Sequence, residues 1–131
     1  MLSVRILVID DEPGVAKALA WLLSKDGYTV DTAENGALAL TLLQTQRYDV
    51  LLCDLLMPEL DGQGFYAILT QQYGALRQRV IFLTGDTLGA ESTVFLQQCG
   101  QPWLTKPCNA ATVRNAIQQM LQGADASREQ Q

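Results

Sequence analysis

The sequence predicts an α/β protein in which a five-stranded parallel sheet is covered by helices on both faces. Short runs rich in Val, Ile and Leu alternate with longer segments of helical period, which is typical of βαβ units. Several of these runs are apolar at nearly every position, as expected for parallel strands buried on both faces. The length of 131 residues suits one ordinary domain.

Five strands are predicted, near residues 4–9, 29–33, 50–54, 79–83 and 103–105. The first, third and fourth runs are the most continuously apolar, so they are expected in the buried part of the sheet. The second run, TVDTA, is more polar and is predicted to lie at an edge.

Five helices are predicted between and after these strands. Pro13 suits the first turn of helix one, because the N–H that proline lacks has no helical partner there, and Gly27 ends that helix. Helix two begins near Gly36. Inward-facing side chains recur at helical spacing in the later helices. They are Leu38, Leu42 and Leu43 in helix two, Phe65, Ile68 and Leu69 in helix three, Phe95, Leu96 and Cys99 in helix four, and Val113, Ala116, Ile117, Met120 and Leu121 in helix five.

The domain is predicted to span residues 1–122. Gly100 is expected to end helix four, and Asn109 is expected to cap the start of helix five. After Gly123 the segment ADASREQQ contains no large apolar residue. Residues 123–131 are therefore predicted to be a polar tail or the start of a linker.

Composition argues against several functions. The net charge is −5 and the basic residues are scattered, so direct binding to nucleic acid is not expected. No apolar stretch is long enough to cross a bilayer and no signal-peptide layout is present, so a cytoplasmic protein without its own membrane attachment is expected. The cysteines lack CxxC spacing and the chain has no histidine, which argues against a zinc site. The cysteines are predicted to be small, buried or half-buried apolar residues.

Polar residues with phosphate-handling chemistry follow or end four of the apolar runs. Asp10 and Asp11 follow the first run, Asp54 ends the third, Thr84 follows the fourth and Lys106 follows the fifth. Because the carboxyl ends of parallel strands meet at one edge of a sheet, these side chains are predicted to converge there. The sequence therefore predicts a site that holds a phosphoryl group.

The carboxylates at this edge predict a bound magnesium ion. Three carboxylates placed close together repel one another unless a cation intervenes, and few oxygen ligands with room for water suit Mg²⁺. Asp54 is the predicted phosphoryl acceptor, because it ends the central, most buried strand and aspartate can accept a phosphoryl group covalently. Thr84 and Lys106 are predicted to contact the phosphoryl oxygens.

Four strings of residues resemble the receiver domain of two-component response regulators. They are IDDEPG at 9–14, CDLLMPELDG at 53–62, FLTGD at 82–86 and WLTKP at 103–107, and the resemblance covers residues 3–122. It implies a doubly wound sheet with the flavodoxin-like strand order 2-1-3-4-5. It also implies that Asp54 takes a phosphoryl group from a phosphohistidine of a sensor histidine kinase or a histidine phosphotransfer domain. The strings FLTGD and GQPWLTKP look more like those of receivers attached to hybrid sensor kinases than like those of DNA-binding regulators.

The resemblance also implies roles for single residues. Asp11, Asp54 and the backbone carbonyl of Leu56 hold Mg²⁺ in the family pattern, and Asp10 assists through water. The peptide bond between Lys106 and Pro107 is cis.

A conformational switch is implied as well. On phosphorylation Thr84 moves toward the phosphoryl group and the aromatic residue at position 103 packs inward behind it. The family has Tyr or Phe where this chain has Trp103, so the usual switch is in question here. The resemblance places any homodimer on the face formed by helix 4, strand 5 and helix 5.

Other functions that use a similar fold or a similar Asp fit the sequence less well. A haloacid-dehalogenase-type phosphatase needs a second Asp where this chain has Leu56, and a flavodoxin needs hydroxyls and glycine rather than carboxylates after strand one. A receiver-like interaction module that acts without phosphorylation is the main alternative. The chain is not expected to be an enzyme that acts on a separate substrate.

Overall fold

The computed structural model describes residues 3–85 and 89–129 of the chain. The strands are β1 (Arg5–Ile9), β2 (Thr29–Ala33), β3 (Val50–Asp54), β4 (Val80–Thr84) and β5 (Trp103–Thr105). The helices are α1 (Pro13–Lys25), α2 (Gly36–Leu43), α3 (Gly62–Gln72), α4 (Ala90–Cys99) and α5 (Ala110–Glu129), with a short 3₁₀ helix at Gly74–Gln78. Asp86, the last residue of the FLTGD string, lies outside the described residues.

The five strands form one parallel sheet in the order β2-β1-β3-β4-β5. This confirms the predicted fold class and strand order, and it confirms that the polar β2 lies at an edge. Strand β3 is the middle strand, and all five of its residues are buried. The topology therefore places the last residue of β3 at the centre of the carboxyl edge.

Two apolar layers cover the sheet. Ile6 and Val8 of β1 pack with α1 and α5 on one face, whereas Leu7 and Ile9 pack with α2, α3 and α4 on the other. This alternation follows from strand geometry, in which successive side chains point to opposite faces. Because residues 6–9 of β1 are buried on both faces, all four are apolar, and only Arg5 at its start is polar.

Most of the predicted helix signals are confirmed. Gly27 and Gly100 adopt positive φ values of 94° and 73° just after α1 and α4, a conformation that favours glycine. The Asn109 side chain accepts a hydrogen bond of 2.8 Å from the Thr112 amide at the start of α5. Within the described residues no helix combines the length and apolarity needed to span a membrane.

The predicted inward face of α2 is partly wrong. Leu38 is 47% exposed, whereas Ala39 and Leu43 are buried and Leu42 is half-buried against the core. The segment GALALTLL is apolar around most of its circumference, so its pattern alone does not distinguish the inward face. Ala39 faces the core because a small side chain lets the helix approach the sheet closely.

The last helix is longer than the sequence predicts. Its backbone continues past Gly123 to Glu129, into the segment predicted as a polar tail. Ala, Arg and Glu are strong helix formers and no proline follows, so the helix can continue without a large apolar residue. The domain boundary at residue 122 stays a prediction.

The cysteines occupy packed positions, as predicted. Cys53 is buried in β3, and Cys99 and Cys108 are half-buried, each as a free thiol. Burial raises the pKa of the Cys53 thiol, so this residue is uncharged at neutral pH.

Gly62 at the start of α3 touches the backbone that follows β3. A Cβ at this position would lie 2.8 Å from the Leu55 Cα and 3.0 Å from the Asp54 carbonyl oxygen. The Gly62 amide also donates a 2.9 Å hydrogen bond to the Leu55 carbonyl. The absence of a side chain at Gly62 therefore allows α3 to begin directly against the end of the central strand.

Candidate functional site

Four strand ends meet at the carboxyl edge of the sheet and carry the predicted site residues. Asp54 is the last residue of β3, between β1 and β4. Asp10 directly follows β1 and is held by a 3.0 Å hydrogen bond from its amide to the Ala33 carbonyl. Thr84 ends β4, and its carbonyl accepts a 2.6 Å hydrogen bond from the Lys106 amide. Parallel pairing therefore brings two acids, a hydroxyl and an ammonium to one edge.

The Lys106 ammonium lies among three carboxylates. Its Nζ is 2.8 Å from Asp10 Oδ2, 3.1 Å from Asp54 Oδ2 and 3.8 Å from Glu12 Oε1. The bond between Lys106 and Pro107 is cis, which confirms the implication of the family resemblance. Both buried acids thus share one cation that comes from the loop after β5.

The acidic cluster consists of Asp10, Glu12 and Asp54, whose carboxylate oxygens can lie within 4.8 Å of one another. Asp11, implied as a direct metal ligand, is half-buried and is not among these three. Sequence reasoning missed Glu12, because its place in the cluster depends on the path of the backbone after β1, where the Glu12 amide donates a hydrogen bond to Asp10 Oδ1. The role of Asp11 stays a prediction.

The pKa of Asp54 is raised from 3.8 to about 6. Burial is the main cause, the hydrogen bond from Lys106 lowers the pKa, and the nearby charge of Asp10 raises it again. For Lys106, burial lowers the pKa, but the hydrogen bonds to Asp10 and Asp54 outweigh it and raise the pKa above its usual value. The lysine is therefore charged at neutral pH, yet it does not fully compensate the two buried carboxylates.

Replacing Asp54 with Asn is expected to stabilise the metal-free protein at neutral pH. A folded-state pKa of about 6 lies above the unfolded value of 3.8, so the penalty on charged Asp54 is absent below about pH 4 and complete above about pH 7. At about pH 7.5 the gain should be about 1–3 kcal/mol, and it should vanish near pH 4.

Urea unfolding of both proteins at the two pH values, without divalent cations, measures this difference. Glu34→Gln is the control, because Glu34 is an exposed carboxylate. An Asp54→Asn protein that is less stable than the wild type at neutral pH would contradict the expected sign.

Thr84 and Trp103, the two predicted switch residues, differ in environment. Thr84 is fully buried, and its Oγ1 has no hydrogen-bond partner within the described parts of the chain. Trp103 pairs with Phe82 across the two strands, and it is 44% exposed. The Thr84 hydroxyl is therefore free to accept or donate a new hydrogen bond, whereas the indole lies largely at the surface.

Leu56 contacts the acceptor through its backbone. Its amide donates a hydrogen bond of 3.3 Å to Asp54 Oδ1, and its side chain is 58% exposed beside the site. The amide therefore helps to orient the Asp54 carboxylate. The Leu56 carbonyl as a metal ligand stays a prediction.

An open parallel sheet in this order, with an acidic site at the point where the strand order reverses, defines the flavodoxin-like class of domains. Comparison with protein families identifies one family within this class. The sequence model described as the response regulator receiver domain matches residues 6–118. The chain belongs to this family of receiver domains.

Two similar proteins support the assignment to the receiver family. Protein PilH of Pseudomonas aeruginosa is 32% identical over 119 residues, which cover 91% of this chain and 98% of PilH. The transcriptional regulatory protein GlrR of Escherichia coli K12 is 34% identical over 118 residues, 90% of this chain and 26% of GlrR. The chain thus spans about a quarter of the length of such regulators.

A solved structure shows the same fold at similar identity. The signal receiver domain of a signal transduction histidine kinase from Syntrophus aciditrophicus has a TM-score of 0.82 and 32% identity, with 92% of each chain covered. Sequence and structure therefore both support the receiver family.

Proposed function

We propose that this receiver domain acts in a two-component phosphorelay, in which Asp54 takes a phosphoryl group from a phosphohistidine. The observation that carries the proposal is the position of Asp54 at the end of the central strand, buried beside Asp10 and hydrogen-bonded to Lys106. Membership of the receiver family supports it. The donor is a sensor histidine kinase or a histidine phosphotransfer domain, since this chain contains no histidine.

The residues at the site fit a magnesium ion. The three clustered carboxylates offer hard oxygen ligands within 4.8 Å of one another, which suits Mg²⁺. Burial and, less strongly, the charge of Asp10 raise the pKa of Asp54 despite the hydrogen bond from Lys106, so a further cation beside this carboxylate would stabilise its charged form. Asp10, Asp54 and one of the neighbouring acids, Asp11 or Glu12, would hold the ion together with the Leu56 carbonyl. When bound, the ion supplies positive charge that lets an anionic phosphoryl group approach.

The positions of the side chains support the following transfer. A carboxylate oxygen of Asp54 attacks phosphorus, the new O–P bond forms while the P–N bond of the phosphohistidine breaks, and the released imidazole nitrogen takes up a proton. Lys106 moves its ammonium from the carboxylates to a phosphoryl oxygen. The Thr84 hydroxyl, which has no hydrogen-bond partner among the described residues, donates a hydrogen bond to another phosphoryl oxygen. The protein mainly orients groups and stabilises charge.

The output of phosphorylation is a shift between two conformations. A hydrogen bond from Thr84 to the phosphoryl group would pull the end of β4 toward Asp54 and free space behind it. Trp103, now 44% exposed, is the side chain that could occupy this space. Any homodimer would then form on the face of α4, β5 and α5, because both residues belong to β4 and β5.

Two architectures fit this proposed function. The chain is similar both to a receiver domain of a histidine kinase and to the short protein PilH, so both a hybrid kinase and a stand-alone receiver remain part of the proposal. In either case we expect a cytoplasmic location, where the kinase domain would act, and no direct contact with nucleic acid. The domain would catalyse its own phosphorylation and dephosphorylation rather than act on a separate substrate.

The test is incubation of the purified chain with acetyl phosphate and Mg²⁺, followed by intact-mass measurement. The wild type is expected to gain the mass of one phosphoryl group, and hydroxylamine should remove it, as for an acyl phosphate. Asp54→Asn should gain nothing, because its amide is not a nucleophile for this reaction.

Two controls test whether the mass gain is specific to Asp54 and whether it requires Mg²⁺. Glu34→Gln, which alters an exposed carboxylate, should be modified like the wild type. Addition of EDTA should prevent modification of the wild type. An unchanged mass of the folded wild type under all conditions would favour the interaction module that acts without phosphorylation.

A further inference from the structure

A second concave site lies at the edge of the sheet opposite to Asp54. A groove of about 1010 Å³ opens there, at the amino ends of the strands. It is bordered by the starts of β1 and β2, by the loop between α2 and β3, and by the 3₁₀ helix after α3. Its volume is of the size that binds small organic ligands.

The charge of this groove contrasts with the charge of the chain. Arg5, Arg47 and Arg79 line it, and Asp49 is the one acidic residue in the lining. The whole chain carries a net charge of −5. Clustering of three guanidinium groups in an acidic protein gives the groove a local excess of positive charge, which attracts anions.

Two of these arginines lack an internal counter-ion. Arg5 pairs with Asp31 over 3.1 Å, but Arg47 and Arg79 form no ion pair with any described residue. The Arg79 guanidinium donates one long hydrogen bond, 3.4 Å, to the Asp49 backbone carbonyl. Most of the donors on these two side chains thus remain available for a ligand. Guanidinium groups bind phosphate oxygens in pairs of parallel hydrogen bonds.

The lining also contains apolar residues. Leu43 and Tyr48 are buried, with 6% and 5% of their surface exposed, so they offer little surface to a ligand. The half-buried Tyr73 ring and Leu76 side chain provide the apolar surface of the groove. A ligand with only phosphate groups would leave this surface uncovered, whereas a flat aromatic group would cover it.

We propose that this groove binds a nucleoside phosphate, with the phosphate groups on Arg47 and Arg79 and the base against Tyr73 and Leu76. The site is separate from the phosphoacceptor site, because the two lie at opposite ends of the same strands. A small ligand is favoured over a polynucleotide, because three arginines in one groove do not form the extended basic surface that a nucleic-acid strand requires.

The test is titration of the full chain with ADP and, separately, with inorganic pyrophosphate, followed by calorimetry and by NMR of the arginine side chains. ADP is expected to bind saturably and more tightly than pyrophosphate, because only ADP has a base that can cover Tyr73 and Leu76. Signals of Arg47 and Arg79 should shift with both compounds.

A double substitution, Arg47→Gln with Arg79→Gln, should weaken ADP binding by at least about tenfold, since it removes charged donors to phosphate. Arg77→Gln is the matched control, because Arg77 is an exposed arginine on the same 3₁₀ helix but does not line the groove. It should change ADP affinity by less than about twofold. Both proteins should unfold at the urea midpoint of the wild type, because these arginines form no ion pair with a described residue.

Several results would overturn the proposal. One is the lack of a saturable response to either compound at about 5 mM, where even weak sites are occupied. Another is an equal loss of affinity in Arg77→Gln, which would indicate only general attraction of anions. Tighter binding of a single-stranded oligonucleotide than of ADP would indicate a nucleic-acid surface instead, and equal binding of ADP and pyrophosphate would remove the nucleoside from the proposal.

Discussion

Lys106→Met is expected to lower the free energy of unfolding by about 2–4 kcal/mol at about pH 7.5 without divalent cations. The Asp10 side chain is fully buried and that of Asp54 is 7% exposed, and Lys106 is hydrogen-bonded to both. Removal of the ammonium would leave two buried carboxylates to repel each other. Methionine keeps most of the aliphatic volume, so the loss reports mainly on charge.

The loss of stability caused by Lys106→Met should become smaller at low pH. As pH falls through about 6, Asp54 takes up a proton and no longer needs the ammonium, so the destabilisation should shrink toward about pH 4. Urea unfolding, followed by circular dichroism, measures the free energy of unfolding at each of the two pH values. Lys17→Met is the control, because Lys17 is exposed on α1 and lies outside the acidic cluster. A loss of stability that is the same at both pH values would argue that the lysine acts through packing.

Gly62→Ala is expected to destabilise the protein by about 2–3 kcal/mol and to slow phosphorylation of Asp54. The added Cβ would lie 2.8 Å from the Leu55 Cα and 3.0 Å from the Asp54 carbonyl oxygen. These are backbone atoms, so they can move away only if the end of β3 moves with them. The acceptor carboxylate belongs to Asp54, so a shift of the Asp54 backbone would move this carboxylate away from Lys106.

Gly74→Ala provides the matched comparison. Gly74 begins the 3₁₀ helix, has no positive φ, and a Cβ there would meet nothing within 4 Å. This substitution should leave stability unchanged or raise it by up to about 1 kcal/mol, because alanine restricts the unfolded chain. Thermal unfolding and the rate of mass gain with acetyl phosphate test both variants. If the two alanine variants had the same stability and the same rate of mass gain, the close contact at Gly62 would not constrain the end of β3.

The sequence predicted the sheet well because its signals are local. Buried parallel strands must be apolar throughout, so β1, β3 and β4 are visible as runs, and β2 is recognisable as an edge by its polar residues. The inward face of α2 was predicted less well. Leucines surround most of that helix, and only contact with the sheet decides that Ala39 rather than Leu38 faces the core.

The site was predictable for the same topological reason. Strand ends in a parallel sheet share one edge, so Asp10, Asp54 and Lys106 could be expected together before any geometry was known. The distinction between Asp11 and Glu12 was not predictable in this way. It depends on the path of the backbone after β1, where a hydrogen bond of 2.9 Å from the Glu12 amide to Asp10 Oδ1 turns the chain.

The acidic cluster also affects how the molecule meets other molecules. Four carboxylates and one ammonium lie at the carboxyl ends of the strands, whereas three guanidinium groups and one carboxylate line the groove at the amino ends. The two ends of the sheet therefore differ in local charge, negative at the Asp54 end and positive at the groove. A partner with a positive surface should therefore be rotated during approach so that it meets the Asp54 end first. Rates of association should then fall as salt shortens the range of this field, which is about 8 Å at physiological ionic strength.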